Sequence, residues 1–446
     1  MRRYETYKDS GVEWIGEIPV SWQLKRIKHT TYVKGRIGWK GLRSDEFLEE
    51  SDSFVVTGTD FKKGKIKWET CYQIPKERYD EDPFIQLKEG DLLITKDGTI
   101  GKIAVVKDIP KMATLNSGVF VTRPKTDDYK SEYLYWVLES DVFKSFYDYN
   151  KSGSTIQHLY QNVFNEFKFT CPTLEEQVRI NKYLIQKTKS LDKLISKKKQ
   201  LIQLLEEELT AIINQAVTKG LNPDVSMKDS GIDWLGEIPE HWDVILFKRI
   251  IKRIKDGTHG TFVRVPKGRP FLSAKNVYND GIKITKNESY ISEESYQEIV
   301  KNGFPQKNDL LLTCVGTIGR VFVYDKEESL AFQRSVTFIR FYIKKANPKY
   351  YKIYVESDMY QNVLKSLAKT SAQSGVYMSD IMNSICILPP IGEQNKIIEF
   401  VEKKRFEIDK TISQVSKEIE LLKEYKTTLI SDVVTGKIDV REEVLN

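Results

Sequence analysis

The chain has 446 residues, a net charge of +7 and a pI near 8.8. Its 40% hydrophobic and 11% aromatic content excludes a disordered chain, and its length fits two to four domains. No apolar run approaches the ~18 residues of a membrane span, and no signal-peptide core follows Met1. The cysteines (Cys71, Cys171, Cys314, Cys386) and the histidines (His29, His158, His241, His259) are scattered without metal-ligand spacing. A chain of the reducing cytoplasm with no metal site is expected. The modest positive excess is compatible with an anionic partner without requiring one.

In chain order, the first distinctive segment is Lys8–Pro19. It returns 220 residues later as Lys228–Pro239, altered only at Val12/Ile232, Glu13/Asp233 and Ile15/Leu235. Next comes a glycine-rich basic stretch with Lys34, Arg36, Trp39, Lys40 and Arg43. The block Asp91–Gly101 then reads as a buried strand followed by a Gly-Thr turn, and it returns as Asp309–Gly319. Pro172–Gln177 opens a long helical pattern, as Pro389–Gln394 does later.

Apolar residues then alternate in steps of four and three. The first helix carries Leu184, Leu191, Ile195, Ile202, Leu205 and Leu209, and the second carries Ile408, Ile412, Val415, Ile419, Leu422 and Leu429. This spacing is a coiled-coil seam. Each helix of roughly 45 residues extends about 65–70 Å at ~1.5 Å per residue, too long to bury its seam on a small domain. Pairing of the two helices is therefore expected. The short connection after Val217 favours an antiparallel pair. A parallel pair, or two helices packed separately on their own domains, stays open at this point.

Between the shared blocks the halves diverge. Where the first half has its Arg36 segment, the second has Lys255, His259, Arg264, Lys267, Arg269 and, further on, Lys275. Glycine permits close backbone approach, lysine and arginine neutralise phosphates, and arginine can also read guanine. These residues are the DNA-contact candidates, most for phosphates and few for bases, although Trp39 equally fits a core. The shared Gly98-Thr99 and Gly316-Thr317 are expected to be structural, because a common motif cannot encode two different targets. Trp14 and Trp234 are expected to anchor the opening segments, with partner docking as the alternative. Glu176 and Glu393 suit a helix N-terminus; Gln177 and Gln394 point to a helix–helix or partner contact.

The Asp-Ser-Gly-x-x-Trp-x-Gly-x-Ile-Pro opening, the strand Gly90–Gly101, the Pro…Glu-Gln helix starts and the tail Val434–Arg441 together resemble the specificity subunit of type I restriction–modification systems. The likeness covers essentially the whole chain, with Asn308 in place of Gly90 and Gly392 in place of Glu175 as departures. It implies an α+β fold with an internal two-fold repeat. Two target-recognition domains (1–172 and 221–388) would be separated by antiparallel spacer helices (173–220 and 389–435), followed by a tail (436–446). It further implies a non-catalytic subunit that reads a bipartite, asymmetric double-stranded DNA target and docks methyltransferase subunits, with a motor-nuclease subunit joining the assembly. S-adenosylmethionine, ATP and magnesium would belong to those partners, leaving this chain without a cofactor. The residues agree: no phosphate loop occurs, and Asn347-Pro348-Lys349-Tyr350 and Asp82-Pro83-Phe84 each lack a proline of the methyltransferase motif. A coiled-coil scaffold without DNA readout is the main alternative, and a self-contained nuclease a weaker one.

Overall fold

The structure is a computed structural model, and it describes residues 2–36, 42–150, 158–368 and 375–443. The chain forms two compact units: Met1–Lys199 with Lys417–Asn446, and Gln200–Ser416. Each long helix, Leu174–Lys219 and Ile391–Val434, is thus divided between the units rather than standing as a domain of its own. The C-terminal segment is also no free tail. Ile438 and Val440 are buried in the first unit's core, and the Asp439 N–H donates to the Arg2 carbonyl.

Both units repeat one topology. In the first, the strands Thr31–Gly35, Val119–Pro124, Leu92–Thr95 and Ile103–Val105 lie side by side in that order, all antiparallel. In the second, Ile251–Asp256, Val336–Phe341, Leu310–Thr313 and Val321–Val323 take the same order. A second small sheet recurs as well: Ser53–Val56 pairs parallel with Ala113–Leu115, and Arg269–Leu272 pairs parallel with Ala331–Phe332. The central strands Leu92–Thr95 and Leu310–Thr313 are buried throughout, which explains why both read as continuous apolar runs instead of alternating.

The residues shared between the halves hold this frame together. Asp9 and Ser10 accept from the Gly11 and Val12 N–H groups at 2.9 and 3.2 Å, and Asp229 and Ser230 repeat the turn at 3.0 and 3.2 Å. Gly11, Gly16, Gly231 and Gly236 adopt φ values of 64–71°, where glycine alone is unstrained. In the strand–turn block, Lys102 N–H donates to Thr95 Oγ1, and Arg320 N–H to Thr313 Oγ1, both at 2.9 Å.

The helix starts are stapled to the sheets. Gln177 (1% exposed) donates to the carbonyls of Asp128 and Pro172 and accepts from Lys130 N–H. Gln394 (0% exposed) donates to those of Lys345 and Pro389 and accepts from Asn347 N–H. Each glutamine thus joins a long helix to its own globular half. Gln394→Ala is expected to cost about 1–3 kcal/mol by leaving buried carbonyls unsatisfied, read as a lower denaturant midpoint at unchanged slope. The neighbouring Glu176 closes a capping box with Thr173 and accepts from Trp22 Nε1; Glu393 accepts from Trp242 Nε1 at 2.9 Å.

The helices pair antiparallel. Within the first unit Lys426 contacts Asp192 at 2.7 Å and Lys198 contacts Glu418, so the register falls on one helix as it rises on the other. Within the second unit Ile213, Ala216 and Val217 share a core with Ile397, Ile398 and Val401. At the seam positions Leu184, Ile195, Ile408, Val415, Ile419 and Leu429 are buried. Leu191, Ile202, Leu205, Leu209, Ile412 and Leu422 are half-buried.

Candidate nucleic-acid interface

One end of each sheet gathers the segments that differ between the halves. In the first unit the strand Thr31–Gly35 ends beside the turns 96–101 and 116–118. Lys96 N–H donates to the Gly118 carbonyl, and Leu159 N–H donates to the Lys96 carbonyl, both at 2.9 Å. In the second unit Gly257 N–H donates to Val336, Thr258 N–H to Phe332, Arg334 N–H to Thr258, and Val376 N–H to Cys314. Backbone hydrogen bonds at equivalent places in the two units, such as Leu159 N–H to Lys96 and Val376 N–H to Cys314, therefore fix where the divergent loops begin and end. The shared glycines at 98 and 316 sit in the turns with φ of 69° and 78°, a conformational requirement that suffices for their presence in both copies.

Gly257 meets protein backbone, not an open ligand surface. A Cβ placed there would lie 2.2 Å from the Gln333 carbonyl oxygen, so the close approach that glycine permits is used internally.

The candidate residues separate by burial and pairing. Lys34 is exposed on its strand, 5.9 Å from the Phe84 ring, and Arg43 is exposed while its backbone N–H donates to Glu46. Trp39 and Lys40 lie outside the described residues. Lys255, His259, Arg264 and Lys267 are exposed along one strand end and loop. The Arg264 guanidinium lies 4.4 Å from the Phe271 ring. His259 Nε2 lies 3.9 Å from Asp256. Burial holds the Asp256 carboxyl above the usual range, although Thr337 donates to it. A cavity of about 320 Å³ opens beneath this loop between Lys255, His259, Phe262 and Asn302.

Arg36 requires correction, and two further candidates are paired within the chain. Arg36 is 2% exposed, and its Nε donates to the Leu115 carbonyl at 2.8 Å. Burial pulls its guanidinium below the ordinary value. It joins the two sheets rather than facing a partner. Arg269 is held by Glu293 at 2.7 Å and Glu328 at 2.8 Å over the Tyr296 ring, and Lys275 is held by the buried Glu288 at 2.6 Å. These charges are neutralised within the chain. Sequence reasoning missed Arg334, which is exposed in the turn joined to Thr258; only the fold brings it beside His259, and no local motif marks it.

The two tryptophans of the opening motif also part company. Trp14 packs on Phe146 and Tyr149, with ring centroids 5.9 and 5.4 Å away. Trp234 is 47% exposed and does not act as the anchor expected of it. Among the described residues no His, Cys, Asp and Glu cluster could hold a metal ion, and no helix is long and apolar enough to cross a membrane.

This duplicated frame with divergent loop ends is that of a DNA-specificity protein: residues 42–206 and 249–421 both match the type I restriction modification DNA specificity domain, and the chain belongs to that family. It is a specificity subunit, the non-catalytic component of a restriction–modification complex. Among its relatives are the EcoBI specificity subunit of Escherichia coli, 24% identical over 89% of this chain and 82% of that one, and the putative MjaX specificity subunit of Methanocaldococcus jannaschii, 24% identical over 96% of each. In fold it is similar to a chain from a study of complex assembly and conformational transition of the type I R-M system, with TM-score 0.70, 15% identity, and 94% and 99% coverage. It is also similar to the HsdS subunit of Thermoanaerobacter tengcongensis, with TM-score 0.54, 14% identity, and 94% and 98% coverage.

Proposed function

We propose that this specificity subunit binds a bipartite, asymmetric DNA duplex, with one half-site read by each globular half. The observation that carries this reading is the matched loop end of the two units: common backbone anchors, different exposed side chains. Lys34 and Arg43 serve one half-site; Lys255, His259, Arg264, Lys267 and Arg334 serve the other. The long helices dock methyltransferase subunits, and a motor-nuclease subunit completes the assembly. Leu194, Leu201 and Leu204, spaced by seven and three along one helix, stay exposed outside the seam and support a docking role. S-adenosylmethionine, ATP and magnesium are assigned to the partner subunits and none to this chain.

Salt titration of duplex binding, followed by fluorescence anisotropy, tests the phosphate contacts. Lys255→Gln and Lys267→Gln are each expected to weaken binding and to reduce the slope of log K against log salt by about 1. Unchanged affinity and slope after neutralising the exposed cations of both loops would return the chain to a protein scaffold without DNA readout.

A further inference from the structure

The duplicated frame builds the same cleft twice and charges it differently. In the first unit the hairpin strands Phe61–Lys62 and Lys65–Ile66, the strand Ile103–Val105, the helix Ser131–Glu139 and the flanks of both long helices enclose about 1010 Å³. Lys63, Lys65, Lys102, Lys107, Lys189 and Lys193 line it. None of their ammonium groups has an ion-pair partner among the described residues. Acidic groups do not balance them: Glu132, Glu139 and Asp192 also line the cleft, three carboxylates against these six lysines and Lys426. Asp192 is taken by Lys426 at 2.7 Å. Glu139 opens to the cleft but is enclosed on most sides; burial raises its carboxyl above the usual range, while Lys426 and Tyr135 oppose the shift. Phe61, Ile103, Trp136 and Ile185 supply apolar wall.

In the second unit the corresponding elements leave only about 320 Å³. Lys63, Lys65, Lys107 and Lys189 are replaced by Asn279, Gly281, Asp325 and Phe406. Lys102 is replaced by Arg320, which lies 4.4 Å from the Tyr278 ring. Lys193 is kept as Lys410. Of the other cations there, Lys352 and Arg405 pair with Glu356 and Lys283 with Asp280, while Lys349 has no ion-pair partner among the described residues. The frame therefore folds with four of the six cationic positions lost, and those lysines are not required by its architecture.

Ammonium groups converging on one concavity repel each other, and low-dielectric walls focus their field onto whatever enters. Lysine offers donors and no acceptor, so the complementary ligand is an acceptor-rich anion. A partner that docks on shared features would find them in both halves, whereas the wide, lysine-lined form of the cleft occurs in the first half alone. Its volume is that of a small-molecule site, too small to admit a duplex. We propose that the cleft beside the hairpin Phe61–Ile66 binds one compact phosphate-bearing polyanion, of the tripolyphosphate or nucleoside triphosphate class. Lys63, Lys65 and Lys102 hold the phosphates from the sheet side, and Lys189 and Lys193 hold them from the helix side. The site is separate from the loop ends assigned to DNA and does not depend on that assignment.

Isothermal titration of the full-length chain with sodium tripolyphosphate, and separately with ATP, tests this at low salt without DNA. One site per chain is expected. Lys102→Gln and Lys193→Gln should each weaken it roughly tenfold, the loss of one charge-assisted contact, while Lys255→Gln leaves it unchanged. Both cleft lysines are exposed, so unaltered thermal unfolding of the variants is expected and separates binding from folding. Tighter binding of ATP than of tripolyphosphate assigns the apolar wall to a base; equal binding assigns the site to the phosphate chain alone. The proposal is overturned by absence of binding, by two sites per chain, or by indifference to both cleft substitutions. It is equally overturned if a glutamate-rich peptide of matched charge binds as tightly, which would make the cleft a protein-docking surface. A fall in duplex affinity matching the fall in tripolyphosphate affinity would merge the cleft with the DNA surface and also overturn it.

Discussion

Asp309→Ala is expected to destabilise the second globular half by about 3–5 kcal/mol, the cost of leaving a partly buried arginine without its counter-ion. The Asp309 side chain is 1% exposed. Its two oxygens accept from Arg340 Nε and Nη2, each at 2.7 Å, and one also accepts from Gln306 N–H at 2.6 Å. Arg340 Nη2 donates further to the Gly303 carbonyl at 2.9 Å, and its guanidinium lies 4.4 Å from the Phe304 ring. The first half repeats the arrangement with Asp91 and Arg123 at 2.6 and 2.8 Å, with Lys88 N–H donating to Asp91 at 2.7 Å. This fork ties the central strand to its neighbour, and it explains the shared aspartate that opens each strand–turn block. Denaturant unfolding of the variant reads the effect directly. Replacing both Asp309 and Arg340 with leucine is expected to recover most of the loss, because no uncompensated charge is then left behind. A cost below about 1 kcal/mol for Asp309→Ala, the range of exposed ion pairs, would show that the fork is incidental.

The second large effect is on specificity. Replacing residues 25–170 by the matching segment of the second half, 245–387, is expected to abolish recognition of the first half-site and to install a second copy of the other. Each mismatched base pair costs about 1–3 kcal/mol, so discrimination at the replaced half-site should fall by at least about 100-fold. The graft boundaries fall on the pairs Gln23–Arg26 with Lys168–Cys171 and Asp243–Leu246 with Ile385–Leu388, which hold equivalent places in the two units. The long helices and their glutamine staples stay intact. Duplex-binding selection with the exchanged chain reads the outcome, and an unchanged target would rule out modular readout.

The repeat made the architecture legible, because each shared block occupies one structural role twice. The seam was legible from its period, and the two strand–turn blocks from their apolar runs. The role of Gln177 and Gln394 was not: a glutamine at a helix start gives no local sign that three carbonyl and N–H partners from the sheet await it. Arg36 was misread for a related reason. A basic residue beside glycines looks exposed in sequence, and only the parallel pairing of Ser53–Val56 with Ala113–Leu115 places the Leu115 carbonyl where it captures the guanidinium. The ion pairs of Arg269 and Lys275 were equally illegible, since Glu293, Glu328 and Glu288 approach them from other elements. At the small hairpins Gly64 corresponds to Asp280, as the paired strands on either side show, so the turn beside the cleft is glycine in one copy and aspartate in the other.

Target readout is assigned to the places where the two copies disagree. Genome-wide mapping of methylated adenines in cells with and without this chain tests it most directly. Sites that vanish with the chain are expected to share a split pattern: two different short sequences at a fixed separation. A single uninterrupted motif, two identical halves, or methylation indifferent to the chain would contradict it.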